Sequence, residues 1–280
     1  MRKVTVIGAA LAGALMLVGT GCAKLKSRDD INKGIAMYRA AKYPDAVELF
    51  KEAVSLDPDN TSAREYLATA YMMQWIPGAD SPENSAFANK ARAEFEGVLE
   101  KNPGETVALA SLASLAYNEA QSLPPDQKLK KLDEAADWNR KVIAVDPKNK
   151  EAYYTLGVIA QNKYYPAMMT ARVNLRMKPE DPGPLKDKKV REELRAQYSP
   201  IIEEGVQNLQ KAIDIDKEYD DAMAYMNLLI RERADLADSP EAYRKEIATA
   251  DDWLQRALDT KKAKAARQPA SPGGIVQDSK

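Results

Sequence analysis

The chain has 280 residues, with 41 Lys and Arg set against 42 Asp and Glu, no histidine and one cysteine. The formal net charge of −1 leaves no basic footprint for nucleic acid. The missing residue types exclude intrachain disulfides, His/Cys metal sites and any mechanism that needs an imidazole, so carboxylates, lysines and tyrosines are what remain for chemistry.

The chain opens on a leader. Met1-Arg2-Lys3 precedes an uncharged apolar run from Val4 to Gly21, with small residues immediately before Cys22, which is the pattern of a secretory signal over residues 1–21. If retained, the run to Ala23 would approach the roughly 18 to 20 residues that span a bilayer. Gly8, Gly13, Gly19 and Gly21 weaken such a helix and favour removal of the segment. The Gly21-Cys22 junction resembles the lipobox of bacterial lipoproteins, departing from it at Gly19, where that pattern usually has Leu. The resemblance implies that Cys22 becomes the lipidated, palmitate-bearing first residue, followed by a short tether over 22–27. Ala23 in place of an aspartate implies the outer membrane, on its periplasmic side, with an inner-membrane anchor as the alternative.

From residue 28 to 260 the chain repeats itself. The turns Asp57-Pro58, Asn102-Pro103 and Asp146-Pro147 recur at near-equal intervals, and Asp216-Lys217 is a degenerate fourth copy. Upstream of each lies one ladder: Ala46, Phe50 and Ala53; Ala91, Phe95 and Val98; Ala135, Asn139 and Val142; Gly205, Leu209 and Ala212. Ala250, Leu254 and Ala257 form a fifth set without the proline. Spacings of three, four and seven place each ladder on one face of a helix, and its small residues admit a neighbouring helix. A second periodic segment follows each turn, so each unit is predicted to be a helical hairpin. The longer repeats predict a modest lengthening of both paired helices. Ser81-Pro82-Glu83 and Ser239-Pro240-Glu241 read as helix starts, as does Ser199-Pro200, with serine at the N-cap and proline in the first turn.

Ala46-x3-Phe50 with Pro58, Ala91-x3-Phe95 with Pro103, and Tyr153-x-x-Leu156-Gly157 resemble the signature of the tetratricopeptide repeat. That resemblance implies an all-α, right-handed superhelical solenoid of about five hairpins. They fall at 28–60, 61–105, 106–149, 150–219 and 220–260, with an insertion over 164–200 in the fourth. Residues 261–280, ending in a Pro/Ser/Gly-rich stretch, read as a disordered tail.

Proteins of this kind bind partners on the surface lined by the first helices of successive repeats. By repeat phase the groove residues are Tyr38, Arg39, Met72, Met73, Tyr117, Asn118, Tyr154, Gln161, Asn162 and Arg231, although Tyr38, Tyr117 and Tyr154 equally fit packing between repeats. Asn118 and Asn162 hold equivalent places, where an amide could bracket a peptide backbone. Chaperone-binding members clamp a terminal carboxylate with Lys, Asn and Arg; here those places hold Ile31, Ile35, Tyr66, Val107 and Ser111, which disfavours that ligand. The insertion adds Tyr164, Tyr165, Met168 and Met169 as an adaptable apolar surface, or alternatively as a plug. Glu180, Asp181 and Asp187 lack the alternation of a calcium loop, and no cofactor is implied. The expected function is a membrane-anchored scaffold for protein–protein interactions in the bacterial envelope, such as outer-membrane, secretion or pilus assembly. Its partners would be other envelope proteins or peptides. The alternative is a carboxylate-dependent envelope enzyme or a small-ligand-binding protein.

Overall fold

A computed structural model describes residues 22–178 and 180–267; residues 1–21, where a signal is expected, and those beyond Arg267, in the expected tail, lie outside them. All regular structure among these residues is helical. The helices are α1 (22–39), α2 (Tyr43–Leu56), α3 (Thr61–Met72), α4 (Pro82–Lys101), α5 (Thr106–Ala120), α6 (Pro125–Val145), α7 (Lys150–Asn174), α8 (Lys188–Ile215), α9 (Asp220–Ala234) and α10 (Pro240–Arg267). They pair in chain order as five hairpins of the tetratricopeptide type, α1–α2, α3–α4 and α5–α6 in a first compact unit, α7–α8 and α9–α10 in a second.

Local chemistry sets most of the boundaries. Asn60, Ser81, Asn149 and Asp187 each accept a hydrogen bond from the backbone N–H three residues on, at 3.0 to 3.2 Å, and each such cap is worth about 0.5–2 kcal/mol. Pro82 and Pro240 occupy first helical positions, where the missing N–H costs nothing. The repeating turns close as Asp57, Asn102 and Asp216 donate their backbone N–H to the carbonyls of Ala53, Val98 and Ala212.

The ladder is the core in both units. In the first, Ala46, Phe50, Ala53, Ala91, Phe95, Val98 and Ala135 are fully buried, and Phe50 stacks on Tyr66 with ring centres 5.4 Å apart, joining α2 to α3. Asn139 occupies an aromatic position, and its Nδ2 is satisfied by donating to Ala135 O at 2.8 Å. Gly34 exists because Phe50 takes its space: a Cβ there would sit 2.5 Å from the ring. The equivalent notch in the second unit is Gly157, where a Cβ would overlap the Leu209 side chain.

Several expectations change. Residues 22–27 are the start of α1 rather than a tether, and buried Ser27 donates to Ala53 O at 2.9 Å. The added length in the long repeats falls chiefly on the second helix: α4 has 20 residues against 12 in α3, and α10 has 28 against 15 in α9. Leu254 is exposed, while Trp253 packs on the core. Residues 261–267 continue α10, so the tail does not begin there.

The insertion over 164–200 is mostly helix. α7 runs on to Asn174 through Pro166, α8 begins at Lys188, and Pro200 lies inside it rather than starting it. Proline signals a helix stop because it lacks a donor and crowds the preceding turn, costing about 3 kcal/mol; here packing prevails. Tyr164, Met168 and Ile202 belong to the core of the second unit. What remains of the insertion is the loop 175–187, itself closed on buried Met177 and Leu185.

Candidate functional site

Two arginines hold down the loop 175–187, Arg191 through the carbonyl of Leu185 and Arg172 through more contacts. Arg172, in the last turns of α7, donates to Asp235 Oδ2 at 2.6 Å and to the carbonyls of Lys178 and Asp181 at 2.8 and 2.5 Å. Both members of the Arg172–Asp235 pair are buried, at 6% and 5% side-chain exposure, so each charge depends on the other. The loop then returns to α9 as Leu185 donates its N–H to Asp235 O at 3.0 Å. Gly183 permits this, since a Cβ would run into Asp235 and the ring of Tyr243.

Beside this anchor lies a cleft of about 380 Å³. Its walls are Tyr165, Met168 and Met169 from α7, Leu228 and Arg231 from α9, Tyr243 from α10, and Glu180 and Asp181 from the loop. Glu232 and Asp235 line it as well. Glu232 is 8% exposed. One of its oxygens accepts from Gln161 Nε2 at 2.8 Å, and the other, Oε2, is buried with no hydrogen-bond partner. Burial raises its pKa to about 7; Gln161 opposes the shift, and the Asp235 charge adds to it. Burial also raises Asp235, while the Arg172 bond opposes it.

Of the groove residues expected from the repeat phase, Gln161 and Arg231 reach this cleft from two helices, Gln161 through Glu232 and Arg231 as wall. Arg231 is ion-paired with Asp251. Tyr154 is instead packed against Tyr219 and Tyr225, at 5.2 and 5.5 Å between ring centres. Asn118 and Asn162 each donate one bond within their own helix, to Ser114 Oγ at 3.3 Å and Val158 O at 2.9 Å. Tyr38 is half-buried against Tyr43, Arg39 and Met73 are exposed, and Met72 and Tyr117 are half-buried. Of the insertion residues, Tyr164 is fully buried and Met168 nearly so, which removes them as free anchors, although Met168 still lines the cleft. Tyr165 is 44% exposed and Met169 partly so.

Sequence reasoning missed Glu232, Asp235, Arg172 and Tyr243. A signal existed for one of them: Glu232 lies three residues beyond fully buried Leu229, so an acid stands on the apolar face of α9.

The first unit has a cleft of its own, about 570 Å³, between the α3–α4 loop and the α5–α6 turn. Asn84 braces the loop by accepting from Ile76 N at 2.7 Å and donating to Ile76 O and Ala79 O at 2.8 and 2.9 Å. Glu119 and Lys131 line the cleft and belong to a closed network with Arg92 and Glu134, every contact lying between 2.5 and 3.0 Å. Among the described residues no group of acids is arranged to hold a metal ion.

Comparison with known proteins supports the fold and goes no further. No family model matches the sequence, and no curated protein matches it. Among solved structures the chain is similar to the MamA protein, with 13% identity over 88% of this chain and 97% of that one, at a TM-score of 0.53. MamA from Desulfovibrio magneticus RS-1 is comparable, with 16% identity, 85% and 97% coverage and a TM-score of 0.52. The first tetratricopeptide domain of Spaghetti, solved bound to an HSP90 peptide, aligns with 50% of this chain at 21% identity and a TM-score of 0.37. At that geometric distance no binding residue transfers.

Proposed function

We propose that this chain is a lipid-anchored interaction scaffold of the bacterial envelope, held through Cys22 on the periplasmic side of the outer membrane and binding other envelope proteins or peptides rather than turning over a substrate. The observation that carries the reading is the fold: hairpins of the tetratricopeptide type spend their apolar ladders on one another and present the remaining helix faces to partners. The anchor rests on the Gly21-Cys22 junction and on the exposure of Cys22. Among the described residues no helix is long and apolar enough to cross a membrane; the apolar run before Cys22 lies outside them, and in this reading it is removed and attachment falls to the lipid. Because 22–27 is helical, the distance from Cys22 to the docked Ser27 is only about 8 Å at 1.5 Å per residue. The first hairpin would then lie against the membrane, and partners would approach the later repeats.

Cys22→Ser should move the protein to the soluble periplasmic fraction or leave an uncleaved precursor, and crosslinking in intact cells should capture an envelope protein with the wild type. A Cys22→Ser chain that stays processed and membrane-bound would refute the anchor. Failure to capture any partner in cells that depend on the protein would refute the scaffold.

A further inference from the structure

We infer that the cleft of the second unit receives a lysine side chain from an extended segment of a partner protein, with its ammonium group seated on Glu232; this deepens the scaffold reading and rests on it. The argument begins with an imbalance of charge. Of the cations facing the cleft, Arg172 is committed to Asp235 and two carbonyls, and Arg231 is paired with Asp251. Asp181 accepts from the Lys178 backbone N–H at 2.9 Å. Glu232 has no cation at all, and its Oε2 is buried without a donor. That oxygen is closed to solvent, so a donor entering the cleft meets it as the Glu232 carboxylate turns outward, and the buried acceptor then gains the partner it lacks.

Shape and lining select the donor. A carboxylate in the lining calls for a cation, and Tyr165 and Tyr243 with Met168 and Met169 beside it suit the aliphatic stem of lysine, which prefers apolar surface while its head stays polar. A volume of about 380 Å³ accepts one long side chain and a little flanking backbone, far less than a folded domain. The open side is bordered by Glu180, an exposed acid that favours approach of a basic segment. A carboxylate or phosphate ligand would instead have to sit against Glu232, Asp235 and Glu180, with both arginines already engaged.

The test uses the full mature chain from residue 22, observed by tyrosine and methionine NMR signals. It is titrated with an acetylated, amidated alanine pentapeptide bearing one central lysine, with the same peptide bearing norleucine, and with free pentylamine. The inference expects saturable shifts at Tyr165, Met169 and Tyr243 for the lysine peptide, at least tenfold weaker binding of the norleucine peptide, and a tenfold loss in Glu232→Gln. That variant keeps the size of the side chain, and its melting temperature should not fall, because a neutral amide replaces a buried acid. Should Glu232→Gln misfold, Tyr165→Ala, at a partly exposed position, should weaken the lysine peptide about fivefold while the protein stays folded. Equal binding of the two peptides, or undiminished binding in Glu232→Gln, overturns the inference. Binding of pentylamine with no binding of the peptide also overturns it, by making the source a free amine. If the lysine peptide does not bind but an envelope partner is still captured equally by wild type and Glu232→Gln, the scaffold stands and the cleft is removed from it.

Discussion

Two clefts, one in each unit, treat their acids in opposite ways. In the first unit Glu119 and Glu134 share Arg92 and Lys131, so each carboxylate has two cations within 3.0 Å. Although burial works against it, the bonds from Lys131 and the charge of Arg92 hold the Glu134 pKa below its ordinary value. In the second unit Glu232 has one neutral amide, and burial lifts it to about 7. A closed network fixes the geometry of a repeat, whereas an acid without a cation leaves a repeat with unspent affinity for one. The contrast separates a brace from a binding site better than the size of either cleft, since the larger one belongs to the closed network.

The contrast would be disturbed most by breaking the anchor beside the second cleft. Arg172→Ala strands Asp235 in a buried site and should destabilise the second unit by about 3–5 kcal/mol, read as a lost or lowered unfolding transition and as fast hydrogen exchange in α7, α9 and the loop 175–187. Exchange in α2–α5 should not change. For the same reason, excising 170–198 should collapse this unit, which a removable loop would not do.

The next effect is on pH dependence. For Glu232 the folded pKa of about 7 exceeds the unfolded value near 4.3, so the native state binds the extra proton between them and stability falls as pH rises through that window. The loss is on the order of 3–4 kcal/mol by pH 8, and Glu232→Gln should remove it. Glu134 runs the other way. Its lowered pKa contributes stability above the unfolded value near 4.3 that is lost as pH falls through the folded one, so acid should weaken the first unit only below about pH 4, after protonation of Glu232 has strengthened the second. Exchange in α4–α6 and α9, measured from about pH 3 to 8, tests both effects: α9 should lose protection as pH rises through about 7 and α4–α6 only as pH falls below about 4, and a flat α9 profile across its window would show that Glu232 is not isolated from cations.

Smaller effects test the packing that both units share. Gly157→Ala against Leu209, and Ala91→Leu or Ala135→Leu in the ladder, should each cost about 1–3 kcal/mol by overpacking, as a lower melting temperature. Normal melting in all three would mean that the ladder faces elsewhere. Arg92→Ala should cost the least, about 1 kcal/mol, because the pairs it breaks are partly exposed and screened; the loss should shrink in 1 M salt.

How much of this could be read in advance depends on how far apart the deciding residues lie. Ala46-x3-Phe50-x2-Ala53 and its copies are local periodicity, and their burial follows once each helix has a single apolar face. The helix starts at Ser81 and Ser239 are equally local. Ser199-Pro200 carries the same signal and fails, because the long α7–α8 pair buries Tyr164 and Ile202 around it. Gln161 and Arg231 were reached by repeat phase, but Tyr154 and Asn162 share that phase and prove to be packed or self-bonded. The partner of Gln161 is Glu232, 71 residues away, beyond any pattern of spacing.

The sequence alone therefore determined that this is a repeat of helical hairpins without disulfide, imidazole or His/Cys metal chemistry, and it placed Cys22 where an anchor would be expected. These are matters of composition and short period, which neighbouring residues settle among themselves. Only the tertiary structure decided that the fourth hairpin is lengthened rather than interrupted, that Arg172 closes its loop on Asp235, and that Glu232 is left beside a cleft with no cation. Those outcomes depend on which charges remain paired after distant helices have excluded water, and burial of that kind is a property of the packed chain rather than of any segment in it.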